Sequence, residues 1–241
     1  MSTRMRAVFL DFQDTLARFR DGAWNSAYGL YVEAAREHGI ELAPDSVVLP
    51  SDEAWADYQT PEGPAHPDYS GDPEAFSQVR ITVHRRRLAK AGITGDTAVA
   101  IGRRIDELEG DAARYVLFDD VIPALGRVRD GGAQVVIVSN HIWRLSDIVA
   151  ELGLAPYVDH VINSARVGYR KPHPAIYRAA LEASGVPAGE TVMVGDSVGH
   201  DVRGAERAGL HGVYLDRSGT ASPPADVRTI TTLAEIPLEW T

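Results

Sequence analysis

Five short apolar runs constrain this chain more than any other feature: Ala7–Leu10, Gln134–Val138, His160–Ile162, Thr191–Val194 and Gly212–Leu215. Continuous runs of this length, rich in β-branched residues, predict strands buried on both faces, as in a parallel sheet. Helical patterns alternate with them from Val121 onward, and glycine closes each one. Ile122–Asp130 stops at Gly131-Gly132, Leu145–Leu152 at Gly153, Pro174–Ser184 at Gly185, and Val202–Ala208 at Gly209. Proline opens the third of these, where its missing N–H costs nothing. Strand–helix alternation of this kind predicts an α/β fold built on an open, doubly wound parallel sheet.

The segment after the first run reads differently, with helical periodicity and no convincing strand. Ala23–His38 places Trp24, Ala27, Tyr28, Tyr31, Val32 and Ala35 on one stripe closed by Gly39. Phe76–Ala91 and Thr97–Leu108 are similar, and Pro61–Pro73 between them is a Pro-, Gly- and Asp-rich loop. The expected organisation is an α/β domain made of residues 1–16 and 117–241, interrupted by a helical domain at 17–116.

At 241 residues the chain fits one large domain or a core carrying such an insertion. A formal charge of -10 disfavours nucleic acid as a partner, but not a small anion held beside a bound cation. Cysteine is absent, which removes disulfides and thiolate sites. The first apolar run is far too short for a signal-peptide core, and no stretch approaches a membrane span. The expectation is a cytoplasmic protein without a membrane partner; nothing in the sequence sets its oligomeric state.

Chemistry concentrates just past the predicted strand ends, where open α/β sheets bind ligands. Asp11 follows the first run, Ser139-Asn140 the second and Asp196 the fourth. Lys171, one of only two lysines, sits in Gly168-Tyr169-Arg170-Lys171-Pro172-His173-Pro174. An aspartate can attack phosphorus or carbon as a nucleophile, and a phosphoryl group needs donors and cations around it. Asp11, Asp196 and Asp201 would suit a hard, oxygen-seeking cation such as Mg²⁺. The bland alternatives are that Asp196 caps the helix near Val198 and that Asp201 lies exposed on that helix.

In order and spacing these pieces resemble the haloacid dehalogenase (HAD) superfamily of hydrolases. Asp11–Leu16, Ser139-Asn140, Lys171 and Gly195–Asp201 look like its four motifs, and the helical insertion looks like its cap. The resemblance implies a Rossmann-like core, Asp11 as nucleophile, and Mg²⁺ held by Asp11, the Gln13 carbonyl and Asp196, with Asp201 in or behind that shell. Thr15, Ser139, Asn140 and Lys171 would hold the phosphoryl group of a small phosphorylated metabolite or orient the nucleophile.

Gln13 departs from the pattern, because family phosphatases usually carry an acid–base aspartate there. Glutamine donates and accepts hydrogen bonds but does not titrate. Asp14 is no ready substitute, since neighbouring side chains on an extended segment point opposite ways. A metal-independent 2-haloacid dehalogenase, which also lacks that aspartate, is the alternative; Asp196 argues against it, because that branch has an uncharged residue there. A phospho-ligand binding protein without turnover is the other. In the insertion Arg18, Arg20, His66, Arg80, His84 and Arg85–Arg87 are candidates for reading substrate. Arg80, His84 and Arg87 share a helical face, which reads as a solvated basic face before it reads as a clamp. His141 is better placed, and Trp24, Trp55 and Trp143 read as packing residues.

Overall fold

The computed structural model describes residues 2–20 and 28–241. Trp24 and the first part of the expected helix from Ala23, including Ala27, lie outside the described residues. The central sheet has six parallel strands, in the order β6-β5-β2-β7-β8-β9. These are β2 (Ala7–Leu10), β5 (Gln134–Ser139), β6 (His160–Asn163), β7 (Thr191–Gly195), β8 (His211–Leu215) and β9 (Thr229–Ile230). All five runs read as strands therefore pair as expected. Their alternation sorts the side chains onto two faces. Val8, Leu10, Val135, Ile137, Val192 and Val194 join one apolar cluster. Ala7, Phe9, Val136, Val138 and Met193 join the other.

Helices α5 (Val121–Asp130), α6 (Leu145–Glu151), α7 (Ser164–Val167), α8 (Pro174–Ser184) and α9 (Gly204–Arg207) connect these strands. The expected helix at Val202–Ala208 starts earlier and differently: Val198–Arg203 is a π-helical turn that runs into α9. The order reverses at β2, whose neighbours are β5 and β7, so a crevice opens beyond its C-terminal end.

The segment from 17 onward corrects the expectation of helices alone. β3 (Ala17–Phe19) pairs antiparallel with β4 (Tyr115–Leu117), in register Ala17↔Leu117 to Phe19↔Tyr115. Helices α1 (Tyr28–Glu37), α2 (Ser51–Ala54), α3 (Pro73–Lys90) and α4 (Gly95–Glu109) follow between these two strands. A further pair, β1 (Thr3–Arg4) with β10 (Glu239–Trp240), joins the chain ends and carried no sequence signal. The apolar cluster on one sheet face continues through Phe12, Leu16, Phe19 and Tyr115 to Tyr31, Leu88, Ile101 and Ile105 of the helices. Phe19 and Tyr115 meet with tilted rings at 4.8 Å between centroids, and Phe12 meets Tyr115 at 5.5 Å.

The Pro61–Pro73 loop is docked rather than free. The Ala65↔Tyr169 bridge and a 2.6 Å hydrogen bond from His66 N–H to the Gly168 carbonyl tie it to the segment that carries Lys171. Gly168 has φ 81°, and a Cβ there would strike Pro67, so only glycine fits beneath the loop.

Candidate active site

Asp11 directly follows β2, and its N–H donates to the Val194 carbonyl of β7 at 3.0 Å. The backbone then turns sharply: Asp14 takes the left-handed region at φ 57°, which aspartate tolerates better than most residues. Asp14 N–H donates to the Ala17 carbonyl at 2.7 Å, so the turn feeds straight into β3.

Oxygens of Asp11, Asp196 and Asp201 lie within 4.8 Å of one another. Lys171, fully buried, places Nζ 2.9 Å from Asp11 Oδ1 and 2.6 Å from Asp201 Oδ1. Three carboxylates against one ammonium leave a formal local charge of 3 − 1 = 2 negative units. Burial alone would lower the lysine's pKa, but Asp11 and Asp201 outweigh it and raise it. Asp196 is raised above the usual carboxylate range, by desolvation and then by Asp11, Asp201 and Asp14. It stands exposed at the crevice mouth, so water tempers the desolvation, and the like charges are the part a cation would reverse. Asp201 is raised by its burial and by Asp11, while Lys171 and the Ser197 amide pull the other way.

Both bland alternatives for the fourth motif are corrected. Ser197, not Asp196, caps the turn, its hydroxyl accepting from His200 N–H. Asp201 is buried rather than exposed, because the π-turn swings it inward. Its Oδ2 accepts from Ser197 N–H at 2.9 Å. It packs over Gly195, where a Cβ would collide with its carboxyl group.

Asn140 exchanges two hydrogen bonds with the Lys171 backbone, donating to its carbonyl at 2.9 Å and accepting from its N–H at 2.7 Å. Its carboxamide is therefore committed to positioning the lysine segment. Ser139, at the end of β5, and Thr15 are both buried, and the Thr15 hydroxyl has no partner among the described residues. Gln13 donates weakly to Asp14 at 3.4 Å. The peptide between Lys171 and Pro172 is cis.

On the helical side of this crevice lies a cavity of about 250 Å³. The chain neighbours of the site residues open onto it: Gln13, Asn140, His141 and Arg170. Arg80, His84 and Arg87 of α3 face them, so the expected solvated face is turned inward. Arg80 is paired with Asp106 at 2.8 Å and with Glu109. His84 donates from Nε2 to Asp106 at 3.0 Å and accepts from the Tyr31 hydroxyl at Nδ1, 2.6 Å away. Burial lowers its pKa, and that of His141.

The other candidates fall elsewhere. Arg18, Arg20, Arg85 and Arg86 are exposed; Arg20 ties the ribbon to the Ala113 carbonyl, and Arg86 pairs with Asp57. His66 sits among Trp55, Tyr58 and Phe76, with both ring nitrogens unpartnered among the described residues. Burial, then the Arg170 charge, push it down to about 4. Trp55 packs as expected but also lies beneath Arg170, whose Cζ is 3.7 Å from the ring centroid. Trp143 packs against the same small cluster. Sequence reasoning missed Arg217, which donates to the Thr15 carbonyl at 3.1 Å and pairs with Asp120 at 3.1 Å. It lies beyond the last motif and had no local signal. Arg170 was visible, but only as the neighbour of Lys171.

Comparison with known proteins follows the same lines. The family model described as haloacid dehalogenase-like hydrolase matches residues 5–209. Haloacid dehalogenase-like hydrolase domain-containing protein 3 of Bos taurus is 26% identical over 210 residues, 86% of this chain and 80% of that protein. The phosphoserine phosphatase of Thermus thermophilus is 32% identical over 164 residues, 68% of this chain and 62% of its own length. The magnesium-bound HAD-hydrolase YfnB of Bacillus subtilis superposes with a TM-score of 0.68 at 19% identity, covering 96% of each chain.

Proposed function

The chain belongs to the haloacid dehalogenase-like hydrolase family, and on that premise we propose that it is an Mg²⁺-dependent phosphatase of small metabolites with Asp11 as nucleophile. The observation that carries this reading is the meeting of Asp11, Asp196 and Asp201 around Lys171, with two negative charges uncompensated. That donor set is all oxygen and suits a hard divalent cation. Asp11, the Gln13 carbonyl and Asp196 would hold it, with Asp201 behind them because its oxygens already serve Lys171 and Ser197. Once bound, Mg²⁺ supplies positive charge against the phosphoryl oxygens and the clustered carboxylates.

The chain's own residues do the rest. The Asp11 oxygen not paired with Lys171 attacks phosphorus, and the bond to the leaving oxygen breaks. Water then cleaves the aspartyl phosphate and restores the carboxylate. Lys171 and Ser139 offer a cation and a hydroxyl to the transferring group. Gln13 can only donate a hydrogen bond to the leaving oxygen, so esters whose alcohols leave without protonation are favoured. Relatives named as phosphatases support a phosphoryl substrate. In the same proposal residues 1–16 and 117–241 form the catalytic unit and 17–116 its cap, acting in the cytoplasm; among the described residues no helix is long and apolar enough to cross a membrane.

The test is hydrolysis of p-nitrophenyl phosphate with Mg²⁺. Turnover that disappears in Asp11→Asn and in EDTA is expected. Halide release from 2-chloropropionate in EDTA, with no phosphatase activity, would establish the dehalogenase instead.

A further inference from the structure

Three guanidinium groups face the cavity between the nucleophile loop and α3: Arg80, Arg87 and Arg170. Arg80 is spent on Asp106 and Glu109. Arg87 donates only to neutral oxygens, the Tyr28 hydroxyl at 3.2 Å and the carbonyls of Val47 and Leu49 at 3.4 and 3.2 Å. The Arg170 guanidinium lies over Trp55 and makes no hydrogen bond to the described residues. Neither has a carboxylate partner among those residues.

A part-buried charge without a protein partner is costly, and its persistence calls for an anion. Arg170 feels this directly: burial, then Arg80, push it down to about 9, still protonated at neutral pH. The local balance of charge fixes the charge of the anion. Among the described residues three arginines against Asp106 and Glu109 leave 3 − 2 = 1 positive charge, and burial, which lowers the pKa of His84 and His141 from the ordinary imidazole value, favours their neutral rings. One positive charge matches one carboxylate and not a second phosphate. A guanidinium stacked on an aromatic ring keeps its N–H edge available, and that edge matches a carboxylate bidentately.

Position and volume narrow the ligand further. Arg170 shares this cavity with Gln13, two residues after Asp11, and with Asn140, so the anchor and the nucleophile's turn border one space. At about 250 Å³, the cavity falls below the roughly 300–1,000 Å³ of sites for drug-sized ligands. We propose that this cavity takes the leaving portion of the substrate, and that Arg87 and Arg170 bind a carboxylate on it, so the substrates are short phosphorylated acids whose leaving oxygen needs no proton, such as phosphate monoesters of phenolic or enolic hydroxy acids. The substrate class rests on the phosphatase reading above; the carboxylate site does not.

The test separates the two. Calorimetric titration of the Mg²⁺-loaded wild-type chain compares 3-phosphonopropionate with 3-phosphonopropionamide, neither of which can be hydrolysed. The acid is expected to bind about 10- to 100-fold more tightly, the range for hydrogen bonds to a charged group. In Arg170→Gln and in Arg87→Gln that ratio should fall toward unity, and Arg170→Lys should restore part of it. If one glutamine variant does not fold, the other carries the comparison. Equal binding of acid and amide by the wild type, or an unchanged ratio in a folded glutamine variant, overturns the inference. Hydrolysis of p-nitrophenyl phosphate together with equal binding overturns this inference alone. Preference for the acid without any phosphate ester hydrolysis supports the carboxylate site and overturns the phosphatase.

Discussion

Lys171 holds two carboxylates at once, and the two play different parts. Asp11 faces the crevice, whereas Asp201 is sealed from solvent with the lysine as its only cation among the described residues. Removing one member of a buried pair leaves an uncompensated charge, typically at a cost of about 3–5 kcal/mol. Lys171→Met should lose that much stability in a denaturant titration, and adding Asp201→Asn should recover part of it. A sum of independent losses in the double variant would mean the pair is not coupled. Gln13→Asp should raise turnover of alkyl phosphates by up to about 10²–10⁴-fold, the usual worth of a positioned acid–base group. An unchanged rate in the folded variant would mean that another group already delivers the proton. At this scale the motif residues were legible, because strand-end positions in a parallel sheet converge whatever their separation in sequence. The commitment of Asn140 to the Lys171 backbone was not legible, nor was Arg217's hold on Thr15, since each depends on contacts between distant segments.

Elements followed the same division. Strands buried on both faces announce themselves as apolar runs, and all five did. β3 and β4 are three residues each, with Arg18 exposed in the middle of β3 and its partner strand about a hundred residues away; no local pattern marks such a pair. The π-turn at Val198–Arg203 was also hidden, because π-helices are rare single-turn features too short to show a periodicity of their own. The docked loop before α3 gives a pH prediction. His66 is neutral in the fold, with its pKa pushed down to about 4 from an ordinary 6.5. Between those values the unfolded chain binds the extra proton, so stability is full above 6.5 and is lost as pH falls toward 4. The shift corresponds to roughly 3 kcal/mol. His66→Phe should flatten the decline in melting temperature across that interval; an undiminished decline would place the acid sensitivity elsewhere.

Across the whole molecule, one apolar cluster runs from the sheet through Phe12, Phe19 and Tyr115 into the helices. A single calorimetric transition is expected, with both parts of the chain melting together. The cation should stabilise that unit by mass action. At a hundredfold excess over its dissociation constant Mg²⁺ contributes about 2.7 kcal/mol, or roughly 5–10 °C for a chain of this size. Asp196→Asn should abolish the gain while leaving the metal-free melting temperature the same or higher, because one of three crowded charges is gone. A gain that survives this change would put the cation somewhere other than among these carboxylates.

The β3–β4 ribbon carries one more consequence. Its two strands are where the chain leaves for helices α1–α4 and returns from them, and β3 starts immediately after Leu16. Those three residue pairs are spliced directly to the turn that presents Asp11. A change that loosens those pairs is therefore expected to disturb the Asp11 turn as well.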